Sequence, residues 1–180
     1  MLAPMEAEVR PGYELWRPNR AKSETKITRV LVALVLLISA ALILIIALGG
    51  WDKLQSGTVA AMAVVWAGLY ILFAFLVLRW NRGVLPVASA LAIILAIFAV
   101  IAAPAWFARD KTGLESPALP EELLGLLTFL VVPVQLALIA IAMIAFNQNW
   151  HVEEERRVGG GDYDDAPPDA DDQRPAAAPA

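Results

Sequence analysis

The stretch GVLPVASALAIILAIFAVIAAPAWFA, residues 83–108, contains no Asp, Glu, Lys, Arg or His. A helix of this length spans the roughly 30 Å hydrocarbon core of a bilayer, which takes about 20 apolar residues. A surface helix of a soluble protein would need a polar face for water, and this stretch has none. It therefore reads as a membrane-crossing helix. Three further uncharged runs, residues 30–51, 54–78 and 123–150, pass the same length test. The expected fold class is all-α: an integral membrane four-helix bundle of four transmembrane helices, with short loops and a disordered acidic C-terminal tail.

Composition agrees. Of the 180 residues 59% are hydrophobic and 18% charged, with mean hydropathy +0.62, whereas soluble domains are about a quarter charged. The charges gather in the tails and the connections. Three segments follow: a basic and aromatic juxtamembrane arm over 1–22, a membrane domain over 23–158 with spans at about 30–50, 57–79, 84–107 and 121–148, and an acidic tail over 159–180. The tail, rich in Gly, Pro, Ala and Asp, has almost nothing to bury. The chain has no cysteine, which excludes disulfides, thiolate metal sites, a lipoprotein anchor and a cysteine nucleophile. The first run is too long for the apolar region of a cleaved signal peptide.

Lys and Arg counts orient the chain. The arm, the loop between the second and third spans and the C-terminal region hold eleven; the opposite side holds Lys53, Arg109 and Lys111. Basic residues accumulate in cytoplasmic segments, so both termini are expected in the cytoplasm. The chain is similar, in size and plan alone, to small four-span bacterial inner-membrane proteins with Ala-rich helices and acidic tails. That likeness implies a bacterial-type plasma membrane and no particular function. Trp51 and Trp106 are expected at the outer interface, Trp80 and Trp150 at the inner one, because indole suits the boundary between lipid and water. Ser23 is the expected cap of the first long helix, and the five-residue loop RWNRG is expected to force the second and third spans into a tight hairpin.

Packing inside lipid relies on small residues that let helices approach closely. The third span carries such a stripe at Ala88, Ala92, Ala96, Ala99 and Ala103. The first has Ala33, Ala40 and Ala47; the second has Ala60, Ala63, Ala67 and Ala74; the fourth has Gly125, Thr128, Gln135 and Ala142. Pro133 removes one backbone N–H from the fourth span and leaves the Phe129 carbonyl without its donor. Thr128 and Gln135 lie nearby to repair the break. The functional reading of Thr128, Pro133 and Gln135 is a hinge or polar pocket; the structural one is a kink with a buried amide. Trp66, Tyr70 and Phe73 form a mid-membrane aromatic cluster, either a lipid or quinone pocket or plain core. The Tyr70 hydroxyl needs a partner at this depth, and Gln135 is a candidate.

The four runs lack ionisable groups, which are the usual mark of proton relays and ion pathways. Ser39 and Ser89 have no histidine at their depth to act as base, so no enzyme is expected, nor any cofactor or metal. The lone histidine, His151, shares a helical face with Asn147, Glu154 and Glu155 if the fourth helix continues outward, but a zinc site needs three or four firm ligands. The alternative is an interfacial helix end, with Glu153 paired to Arg156 or Arg157 and Gly159 terminating the helix. Expected partners are the lipid bilayer and a larger membrane protein or further copies of the chain; nucleic acid is not expected. The leading function is an accessory or structural subunit of a larger membrane complex. Alternatives are a small homo-oligomeric transporter or channel using the kinked fourth helix and, last, a membrane enzyme.

Overall fold

The computed structural model describes residues 13–51, 57–108, 118–150 and 152–157. In chain order the elements are strand β1 (Tyr13–Trp16), a single turn α1 (Pro18–Ala21), helices α2 (Ser23–Gly49), α3 (Gly57–Leu78), α4 (Val84–Phe107) and α5 (Glu121–Asn147), and strand β2 (Glu154–Arg157). The four long helices are each long and apolar enough to cross a membrane. The chain is an all-α membrane protein built on a four-helix bundle, and it forms two compact units: residues 19–151, which hold the bundle, and residues 1–18 with 152–180.

In the bundle, consecutive helices run in opposite directions. The start of α2 meets the end of α3, where Arg29 Nη1 donates to the Leu78 carbonyl at 3.3 Å. The end of α2 meets the start of α5, where the Leu119 N–H donates to the Gly49 carbonyl at 3.3 Å. Side packing pairs α2 with α3, α2 with α5, and most extensively α4 with α5. The small residues explain this choice. Ala33, Ala40 and Ala47 of α2, Ala60, Ala67 and Ala74 of α3, Ala88, Ala92, Ala99 and Ala103 of α4, and Gly125 and Ala142 of α5 are all buried, with Ala63 and Ala96 half-buried. Gly125 leaves room for the end of α4: a methyl group there would stand 2.7 Å from the Phe107 ring.

The tight hairpin of α3 and α4 does not form along their length. These two helices share the shortest connection, yet they touch less than any other sequential pair of long helices. Each has a small-residue face directed to a different neighbour, α3 to α2 and α4 to α5, and close packing outweighs proximity in sequence. The turn between them reverses at Trp80, which takes a left-handed backbone (φ 65°).

Three expectations about helix ends are corrected. Ser23 is the first residue of α2, not its cap. The cap position is Lys22, which makes no side-chain capping bond; its Nζ donates instead to Asn19 Oδ1 at 3.0 Å. Helix α5 ends at Asn147 and does not run to Gly159. Asn149 then adopts φ 46°, a conformation Asn tolerates better than most residues, and the chain turns. The face of Asn147, Glu154 and Glu155 therefore does not exist, and His151 lies outside the described residues. Finally, Trp106 and Trp150, expected to face the boundary between lipid and water, are buried against protein; the turn at Asn149 carries Trp150 back into the bundle.

The smaller unit contains an antiparallel ribbon. β1 pairs with β2 in the register Tyr13 with Arg157, Glu14 with Arg156, Leu15 with Glu155, and Trp16 with Glu154. Glu153 joins Arg17, whose Nε donates to its carboxylate at 2.8 Å, where the sequence suggested Arg156 or Arg157. The residues beyond 157, including the acidic tail and Gly159, lie outside the described residues.

Candidate functional site

Three features of the bundle bear on function. The first is a polar junction near the middle of three helices. The Tyr70 hydroxyl on α3 donates to Gln135 Oε1 on α5 at 2.9 Å. Gln135 Nε2 donates to Ser39 Oγ on α2 at 3.1 Å, and Ser39 Oγ donates to the Val35 carbonyl at 2.8 Å. All three side chains are fully buried. In lipid an unpaired polar group costs several kcal/mol, so the chain of bonds fixes the depth and rotation of α2, α3 and α5 relative to one another. Helix α4 takes no part. Its one hydroxyl in this region, Ser89, donates to the Leu85 carbonyl in its own helix at 3.0 Å.

The residues nominated around the proline are not brought to one place. Gln135 faces the junction, Pro133 faces outward and is exposed, and Thr128 is buried nearer the start of α5. Nor do the polar neighbours repair the break. The Thr128 hydroxyl donates to the Leu124 carbonyl at 2.7 Å, and the Gln135 amide goes to Ser39, so neither is turned to Phe129. Helix α5 nevertheless runs unbroken through Pro133. Of the aromatic cluster, Tyr70 and Phe73 belong to the core, with Trp66 half-buried against it.

The second feature is a cleft of about 570 Å³ where α3 and α4 diverge, within the range of roughly 300–1,000 Å³ typical of ligand pockets. Its walls include Met62 and Trp66 of α3, Phe98 and Ala102 of α4, and Ala47 of α2, with Thr128 of α5 behind. The lining is overwhelmingly apolar. The Trp66 indole N–H is buried and lies beside the Tyr70 hydroxyl, without the alignment of a full hydrogen bond. The periodicity of α3 and α4 did not reveal the cleft, because each helix taken alone looks uniformly apolar.

The third feature closes the end of the bundle where α3 joins α4. Trp150, fully buried, meets the Trp80 ring edge-on at 5.5 Å and 88°. Its carbonyl accepts from Arg20 Nε at 3.0 Å, and its indole donates to Gln148 Oε1 at 3.3 Å. Gln148 Nε2 in turn donates to Thr28 Oγ1 on α2 at 3.0 Å. The Gln148 amide thus binds the turn after α5 to the start of α2; Asn19 Nδ2 adds a bond to the Asn149 carbonyl at 3.1 Å. Arginines cover the aromatics: Arg29 lies 4.1 Å and Arg20 5.4 Å from the Trp80 ring centre, Arg82 4.1 Å from Phe146, and Arg79 5.1 Å from Phe75. The only local hint in the sequence was RWNRG, two arginines flanking an aromatic residue.

Compared with protein-family models, with curated proteins and with solved structures, the chain finds no match.

Proposed function

We propose that this membrane protein is a non-enzymatic accessory or structural subunit that packs against a larger membrane protein, in a bacterial-type plasma membrane with both termini in the cytoplasm. The observation that carries the reading is the Tyr70–Gln135–Ser39 junction. Its side chains satisfy one another inside the bundle, so no polar group there is left to receive a substrate. The membrane-facing work falls to apolar surface, and the cleft between α3 and α4 is the face offered to a transmembrane helix of the partner. The hydroxyls of Ser39 and Ser89 each donate to a carbonyl one turn back, a poor arrangement for nucleophiles. The cytoplasmic assignment draws on the basic residues gathered at one end of the bundle, Lys22, Lys26, Arg29, Arg79 and Arg82 among them. A transporter using α5 has less support, since Gln135 is buried and paired while Pro133 faces away from it.

Affinity purification from native membranes in mild detergent, followed by mass spectrometry, tests the reading. The expected result is a larger membrane protein recovered in fixed stoichiometry, lost on filling the cleft with Ala102→Trp while helicity is retained. Recovery of the chain as a lone monomer, or only with copies of itself, would sink it.

A further inference from the structure

The arginines at the α3–α4 end have chemistry left over after the fold has used them. A guanidinium has five N–H donors. Among the described residues, Arg29 commits one, to the Leu78 carbonyl, and Arg79 and Arg82 contact the Phe75 and Phe146 rings. Arg29 Nε and Arg82 Nε are buried without a hydrogen-bond partner, and native proteins seldom leave such a donor unpaired. Among the described residues no carboxylate pairs with Arg29, Arg79 or Arg82; the ion pair recorded there, Arg17 with Glu153, belongs to the other unit. Among the described residues, three positive charges are therefore held at one end of the bundle with no carboxylate paired to them.

Ring contacts also restrict them: the guanidinium carbons of Arg29, Arg79 and Arg82 lie 4.1, 5.1 and 4.1 Å from the ring centres of Trp80, Phe75 and Phe146, and Arg loses less freedom than Lys when it then binds an anion. The surroundings identify the anion. Val30, Phe75 and Leu78, exposed large apolar residues, lie beside these charges in sequence and on the outer surface of α2 and α3. A ligand suited to the place has several acceptor oxygens on one end and hydrocarbon on the other. Basic pockets between transmembrane helices are known to hold anionic headgroups.

We propose that Arg29, Arg79 and Arg82 form a binding site for the phosphate of an anionic phospholipid, whose acyl chains run along α2 and α3. The site does not depend on the accessory-subunit reading: a lone bundle would hold the lipid equally well.

The full chain is purified in mild detergent, and retention of phosphatidylglycerol against phosphatidylcholine is measured by native mass spectrometry, with melting temperature followed in parallel. The wild type is expected to retain phosphatidylglycerol preferentially and to melt higher with it. R29Q/R82Q should weaken that preference roughly tenfold or more, since each basic group near an anionic surface contributes severalfold. K22Q/K26Q removes the same charge from exposed side chains at the same end, so it reports the general surface charge, and it should weaken the preference clearly less than R29Q/R82Q does. Arg79→Gln, at an exposed side chain, decides the matter should the double variant fail to fold, and should weaken the preference severalfold. Equal losses in R29Q/R82Q and K22Q/K26Q would reduce the site to general surface charge and overturn the proposal. So would the absence of any preference in the wild type, or an unchanged preference in Arg79→Gln when that variant decides. Inorganic phosphate at millimolar concentration should neither raise the melting temperature nor displace the lipid; if it does both, the site belongs to a free anion.

Discussion

The two ends of the bundle are built on different principles. Where α3 joins α4, Trp80, Trp150, Gln148, Thr28 and the arginines bind the turn, α2 and the exit of α5 into one body of hydrogen bonds and ring contacts. At the opposite end α3 and α4 separate and a cleft opens; among the described residues there, the Leu119 N–H donates to the Gly49 carbonyl. The polar end has a defined geometry, because each donor must find its acceptor. The cleft at the other end is lined by apolar side chains, a surface that lipid chains or another helix can fill. A membrane protein of this kind can fix its own fold at one end and leave the other open for association.

The largest effect expected of this contrast is at Trp150. Trp150→Ala removes a fully buried ring, its edge-on contact with Trp80 and its hydrogen bond to Gln148 Oε1, and should destabilise the bundle by about 3 kcal/mol or more. Unfolding in mixed micelles of increasing dodecyl sulfate content, followed by circular dichroism, gives the number. Trp106→Ala at the cleft end should cost clearly less, because Trp106 borders a space already open; equal losses would abolish the distinction between the ends.

Next comes the junction between them. Gln135→Leu leaves the Tyr70 hydroxyl without its acceptor, and should cost about 1–2 kcal/mol. A double-mutant cycle with Tyr70→Phe should show a coupling of about 0.6 kcal/mol, and no more than about 1.7. A coupling indistinguishable from zero would mean that the bond does not align the helices.

The smallest effect is expected within the cleft. Trp66→Phe removes a buried N–H whose polar neighbour, the Tyr70 hydroxyl, is poorly aligned with it, so the loss should stay within about 1 kcal/mol. A loss beyond about 2 kcal/mol would show that the indole has an acceptor in the membrane and that the cleft is occupied there.

Legibility from sequence followed the range of the interactions. The small-residue stripes pointed inward as helical spacing required, and Gln135 was nominated for Tyr70 on depth alone. The exit of α5 was misread because Asn147, His151, Glu154 and Glu155 satisfy helical periodicity perfectly well. What ends the helix is a left-handed Asn149 and a strand pairing between Glu154–Arg157 and Tyr13–Trp16, segments separated by nearly the whole chain. The aromatic and arginine cover was equally hidden, since Arg29 and Trp80, or Arg82 and Phe146, have no periodic relation to each other.

The sequence by itself determined that four helices cross the membrane, because hydrocarbon accepts only long runs of uncharged residues with their backbone bonds closed internally. It also determined which face of each helix is small enough to be buried. Only the tertiary structure decided which faces meet. It set α3 on α2 and α4 on α5, parted α3 from α4, and folded Trp150 beneath the bundle. Those choices depend on the mutual fit of side chains and on hydrogen bonds between groups remote in the chain, and no single helix contains that information.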